Sequence, residues 1–215
     1  GSILRSIPRR RWCAIRFASR MCPLIPRVQG RWDALAWGTL GVLFLGFALR
    51  MIGLGALPLV GDEAYYWLWS QHPAPSYYDH PAGIALMIRA GTTLAGDGEF
   101  GIRWLNAMLG FSTIAAAVAV GRRLFARGAG VFTGAAIALG APFLIVARFV
   151  YTDVLHLLGV LLNLWAFDAF LTEDRRPSDA QGALFGLTLI LLLNTKYSAY
   201  LYVAALGAWI LLDRR

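Results

Sequence analysis

Between Ala34 and Leu212 the chain is a succession of apolar runs broken by short polar stretches, and this rhythm restricts its folds more than any other feature. Runs at 34–55, 101–120, 129–149, 154–171, 181–195 and 198–212 approach the ~20 residues an α-helix needs to cross a bilayer. The last two are separated only by Lys196 and Tyr197. The expected fold is therefore all-α: a polytopic transmembrane helix bundle of about six spans. Charged residues make up 15% of the chain, against roughly 25% in an average soluble domain, which favours the membrane class.

Orientation follows from the arginines, because short loops rich in Lys and Arg stay on the cytoplasmic side. With the amino end inside, the inner segments hold every arginine up to Arg31, then Arg122, Arg123 and Arg127, then Arg175 and Arg176, and finally Arg214 and Arg215. The expectation is a multi-pass inner (plasma) membrane protein with a basic cytoplasmic tail over 1–32 and a transmembrane domain over 33–215. The net charge of +8 is on this reading a topology signal that also suits anionic lipid headgroups, and it does not point to nucleic acid. Cys13 and Cys22 match no zinc or redox spacing and read as free thiols. The first apolar run reads as a retained anchor, since it lacks a small-x-small cleavage site.

Residues 61–100 interrupt the rhythm as a first outer loop. Within it "PAGIALMIRAGTTLAG" (81–96) is apolar and helix-like, opened by Pro81, and too short to cross. A crossing there would also invert every later loop against the charge rule. The loop is expected to carry one or two membrane-surface helices, with Arg89 reaching headgroups. The preceding "WSQHPAPSYYDHPA", with Pro73, Pro75 and Pro81, reads as an ordered surface loop.

This topology puts four polar clusters on one side of the membrane: Asp62 with Glu63, Asp79 with His80, Asp153, and Lys196. Carboxylates near a bilayer are costly unless paired, solvated or bound to a cation, so their convergence at one depth favours a site. Simpler readings stand beside this one. Asp62 and Glu63 suit the solvated end of a helix, Asp153 a helix cap, His80 a surface loop, and Lys196 and Arg148 interfacial anchors. Tyr65, Tyr66, Trp67, Tyr77 and Tyr78 suit an aromatic belt, and His156 and Asp168 suit packing or a helix boundary.

The segments "GDEAYYWLWSQHPAPSYYDHPAG", "RFVYTD" and "LLLNTKYSAY" resemble, in order, the dolichyl-phosphate-mannose protein mannosyltransferase and aminoarabinose transferase group. These are membrane glycosyltransferases of the C-type fold (glycosyltransferase family 39-like), and the resemblance covers about 31–215. It implies an inverting transfer of a sugar from a polyprenyl-phosphate donor to an acceptor hydroxyl on the outer, periplasmic face. The acceptor class, a glycolipid, a polysaccharide or a protein, stays open. By this resemblance Asp62 is the candidate general base or acceptor-orienting group, and Asp153 the second catalytic acid. Asp79 and His80 match a pair that contacts the carrier phosphate or binds a divalent metal. Lys196, the chain's single lysine, matches a phosphate ligand. Arg148, Glu63, Tyr65 and Tyr197 are further candidates for substrate contact. Ala82 departs from the family pattern, where many relatives carry a second proline.

A transporter or lipid flippase is the competing class, but its ionisable groups would gather near the bilayer midplane in paired repeats. Family members are also longer, so the resemblance implies an amino-terminal part that could be catalytically incomplete.

Overall fold

A computed structural model describes residues 32–125, 127–172 and 178–213. The basic segment up to Arg31, with Cys13 and Cys22, lies outside them, as do Arg175, Arg176, Arg214 and Arg215. Among the described residues the architecture is all-α, with nine helices: α1 Trp32–Met51, α2 Gly61–Gln71, α3 Gly83–Ala95, α4 Glu99–Leu124, α5 Arg127–Leu139, α6 Ala141–Arg148, α7 Thr152–Thr172, α8 Asp179–Leu193 and α9 Ala199–Asp213.

The expected six spans are not what forms. Two helices among the described residues, Glu99–Leu124 and Thr152–Leu171, are long and apolar enough to cross a membrane. The physical reason is length. α8 and α9 have 15 residues each, which at 1.5 Å per residue is roughly 22 Å, short of a hydrocarbon core of ~30 Å. The apolar stretch of α1, Trp37–Met51, is equally short. The run at 129–149 is not one helix at all. It breaks at Gly140, the N-cap of α6, and Pro142 occupies the first turn of α6, where its missing N–H costs nothing. The multi-pass topology of about six crossings, and the localisation built on it, fall with these lengths.

The loop over 61–100 does contain two helices, α2 and α3. Arg89 is exposed, and its Nη1 donates to the Ser70 carbonyl at 3.1 Å, near the end of α2.

α4 is the element against which α1, α3, α5 and α7 pack. Its starting end, with α2, α3 and Val150, forms a core around Tyr66, Trp69, Ile84, Ile88 and Ile102. A second core around Ile114, Ala117, Ile137 and Ala138 joins it to α5 and α7. Close approach to α5 requires small residues, since a Cβ on Gly121 would come within 2.9 Å of the Gly130 Cα. Arg50, 1% exposed, reaches from α1 to the end of α5 and donates to the Ile137 carbonyl at 3.1 Å. It thereby satisfies a helix-terminal carbonyl that α5 cannot satisfy itself.

Candidate active site

The site is assembled on a buried ion pair. α2 starts after extended Val60, and the Glu63 carboxylate folds back so that Oε2 accepts from Val60 N–H at 3.1 Å. Oε1 accepts from Val150 N–H at 2.9 Å and from Arg103 Nε at 2.8 Å, and Oε2 from Arg103 Nη2 at 2.6 Å. Four donors use the roughly four lone-pair positions of a carboxylate. Arg103, on α4, spends its remaining N–H groups on the carbonyls of Leu54, Leu57 and Pro58. Glu63 is 0% exposed and Arg103 1%. The expectation that Glu63 touches substrate is thus corrected: no face of its carboxylate is open, and it ties the α1–α2 loop, α2, α4 and the start of α7 into one body.

Helical geometry turns the neighbouring Asp62 about 100° away from Glu63 and into the open. Asp153 stands in the first turn of α7, where the helix dipole favours a carboxylate. Its Oδ1 lies 2.9 Å from Lys196 Nζ, with both side chains partly exposed. A narrow cleft of about 10 Å³, lined in part by Gly110, Thr113 and Phe143, has Asp153 and the buried Arg50 in its walls.

Lys196 reaches Asp153 because the turn after α8 docks on two neighbours. His156 Nδ1 and Thr195 Oγ1 meet at 3.1 Å, which fixes the turn to α7. Gly83 N–H donates to the Asn194 carbonyl at 3.0 Å, and a Cβ on Gly83 would lie 2.2 Å from that oxygen, so only glycine allows this approach. The loop at 73–81 closes from the other side. Trp69 and Tyr77 stack with centroids 4.6 Å apart, Tyr77 N–H donates to the His80 carbonyl at 2.9 Å, and the Tyr197 hydroxyl donates to the Tyr77 carbonyl at 2.9 Å while lying 2.7 Å from Ser76 Oγ.

Tyr66 and His80 both respond to the charges of these groups. The Tyr66 ring is buried, and its phenol is pushed up to about 12 by burial first and then by Asp62, Asp153 and Asp79. His80 packs edge-on to Tyr66 and Trp69, with centroids at 5.7 and 6.2 Å. Burial first and Lys196 second push its imidazole below the ordinary histidine value, and Asp79, Asp153 and Asp62 oppose them. The same three carboxylates, from three separate stretches of chain, therefore act on one phenol and one imidazole. His80 Nδ1 is buried without a hydrogen-bond partner among the described residues.

Other expected residues stand differently. Tyr65 is 42% exposed and its ring lies 4.5 Å from that of Trp69, at the edge of the same aromatic group. Tyr197 serves as the latch between the loop and the turn. Arg148 Nη2 donates to the Gly53 carbonyl at 3.3 Å, in the turn after α1. Asp79 and His80 do not form a metal centre with a third residue: among the described residues no group of three or more His, Cys, Asp or Glu is arranged to hold an ion. Sequence reasoning missed Arg103, Ser76 and the central place of Tyr66. An arginine near a helix end, a loop serine and one tyrosine among several carry no local signal of what they meet.

Comparison with known proteins agrees with the motifs. The profile of the dolichyl-phosphate-mannose-protein mannosyltransferase family matches residues 79–215. Lipid A galacturonosyltransferase RgtD of Rhizobium johnstonii is 32% identical over 175 residues, covering 80% of this chain and 36% of the relative. The chain thus spans about a third of the length of that curated relative. No solved structure matches it. With the family profile covering most of its described helices, from Asp79 onward, the chain belongs to the dolichyl-phosphate-mannose-protein mannosyltransferase family.

Proposed function

We propose that the chain carries the catalytic corner of a glycosyltransferase that moves a sugar from a polyprenyl-phosphate donor to an acceptor hydroxyl. The single observation that carries this reading is the pairing of Lys196 with Asp153 at 2.9 Å, in a turn to which Tyr197 latches the loop that bears Asp79 and His80. In the proposed reaction the acceptor oxygen attacks the anomeric carbon and its proton passes to Asp62. The bond from that carbon to the phosphate oxygen breaks, and the polyprenyl phosphate leaves with the electron pair. Lys196 supplies a cation for the departing phosphate, and Asp153 holds Lys196 in position until donor binds. Asp62 suits the base because it is exposed, whereas its neighbour Glu63 is enclosed.

The acceptor proposed is a glycolipid. The support is the likeness to a protein named for transfer to lipid A, together with a site at the starting ends of the two membrane-length helices. Asp62→Asn in the full-length protein, assayed for sugar transfer to lipid, tests the reading: transfer is expected to collapse, and undiminished transfer removes Asp62 from the reaction.

A further inference from the structure

Asp153, His156 and Gly159 follow one another at intervals of three on α7, which puts them on one side of the helix. Each meets the end of α8 or the turn after it. Asp153 Oδ1 lies 2.9 Å from Lys196 Nζ, His156 Nδ1 lies 3.1 Å from Thr195 Oγ1, and a Cβ on Gly159 would meet the Leu192 Cα at 3.2 Å. The partners run backwards in sequence as the α7 residues run forwards, so this segment lies antiparallel along α7. Close packing at Gly159 holds Leu192, but Lys196 lies beyond Leu193, the last residue of α8. The contact nearest to it in the chain is the hydrogen bond of His156 to Thr195.

The direction of that bond follows from counting protons. The Thr195 hydroxyl has one, and it goes to the Leu192 carbonyl at 2.6 Å. Toward the imidazole the same oxygen is therefore an acceptor, so Nδ1 carries a proton and donates it. Thr195 is 5% exposed, which leaves little room for water to replace the imidazole. Any apolar side chain of similar size could fill position 156 as packing, but none could supply this donor.

We infer that His156 is a positioning residue for the proposed transfer: by donating to Thr195 it fixes the backbone from which the Lys196 ammonium reaches Asp153. This role rests on the reading that Lys196 meets the departing phosphate. An ammonium on a flexible four-carbon stem keeps one position only where its backbone is held. A displacement of about 1 Å at a group that acts on the transition state costs on the order of 100-fold in rate.

Sugar transfer by the full-length protein, measured over a range of acceptor concentrations, tests this role. His156→Leu fills similar space without a donor and is expected to lower kcat about 10- to 100-fold while leaving the acceptor KM unchanged. His156→Asn places an amide N–H near the position of Nδ1 and is expected to keep transfer within about threefold of the unaltered protein. In a Lys196→Gln background, His156→Leu is expected to cost no more than about twofold further, because two residues that act as one unit give losses that do not add. A loss of folded protein would multiply with the effect of Lys196→Gln instead. The role is overturned if His156→Leu transfers sugar as well as the unaltered protein, if His156→Asn does no better than His156→Leu, or if the losses at the two positions multiply. If Lys196→Gln alone leaves transfer undiminished, the proposed part of Lys196 in the reaction fails, and that of His156 falls with it.

Discussion

Glu63 and Asp62 are adjacent carboxylates on one helix, and they belong to opposite kinds of charged region. Around Glu63 every hydrogen-bonding position is used, by Arg103, Val60 and Val150, and water is excluded. Around Asp62 the carboxylates are exposed and the Asp153–Lys196 pair is open to solvent. A saturated cluster cannot offer a lone pair to a reactant, but it holds backbone in place. An open cluster contributes little to stability and keeps its charges available. The first therefore fixes the geometry in which the second operates: Glu63 binds the backbone of Val150, three residues before Asp153, and sits next to Asp62.

The largest expected effect comes from breaking the saturated region. Glu63→Ala leaves Arg103 buried without its counter-charge and should destabilise the chain by about 3–5 kcal/mol, read as thermal unfolding in detergent. A loss below about 1 kcal/mol would mean the two regions do not differ as described. Next, Asp62→Asn should reduce sugar transfer by the full-length protein about 100- to 10,000-fold while changing stability by no more than about 0.5 kcal/mol. If unfolding shifts instead and transfer does not, Asp62 is the structural member of the pair.

A smaller effect is expected at the latch between the regions. Tyr197→Phe removes the hydroxyl that joins Ser76 and Tyr77 to the turn after α8, and should cost about 0.5–1.5 kcal/mol. Protection of the 73–80 backbone against hydrogen exchange should fall with it. The smallest change in stability, within about 1 kcal/mol, is expected for Lys196→Gln, because its ion pair is solvent-screened. Its readout is the titration of His80. Removing that cation should raise the His80 imidazole toward its ordinary value, as measured by NMR, while burial keeps it from reaching that value.

The sign for stability follows from the same depression. The unfolded chain takes up the His80 proton near pH ~6.5 and the folded chain only at lower pH, so acidification through that window favours unfolding. The contribution is fully present above the ordinary histidine value and fades as pH falls toward the depressed one. Lys196→Gln should narrow the window.

Much of this was legible in the chain itself. The helical starts near Gly83 and Thr152 follow from breaks in apolar runs, whereas the helix that starts at Gly61 was not legible, because Asp62 and Glu63 read as the end of the preceding helix. The spans were read less well. Apolar length in sequence counts residues, not the straight helix they form, and the break at Gly140–Pro142 and the short α8 and α9 reduced the expected crossings to two helices of sufficient length. Arg148 was placed among the site candidates by its nearness in sequence to Asp153, yet the end of α6 directs it to the Gly53 carbonyl.

By itself the sequence determined that the chain is all-α, that its charges are few and clustered, and which residue types can do chemistry, because composition and periodicity act within a turn or two of helix. Only the tertiary structure decided which of two adjacent acids is enclosed and which is open. That choice depends on Arg103 arriving from α4, 40 residues away in the chain, and on Val150 presenting its N–H at the start of α7. A buried carboxylate is stable only where such partners converge, and no local pattern encodes their convergence.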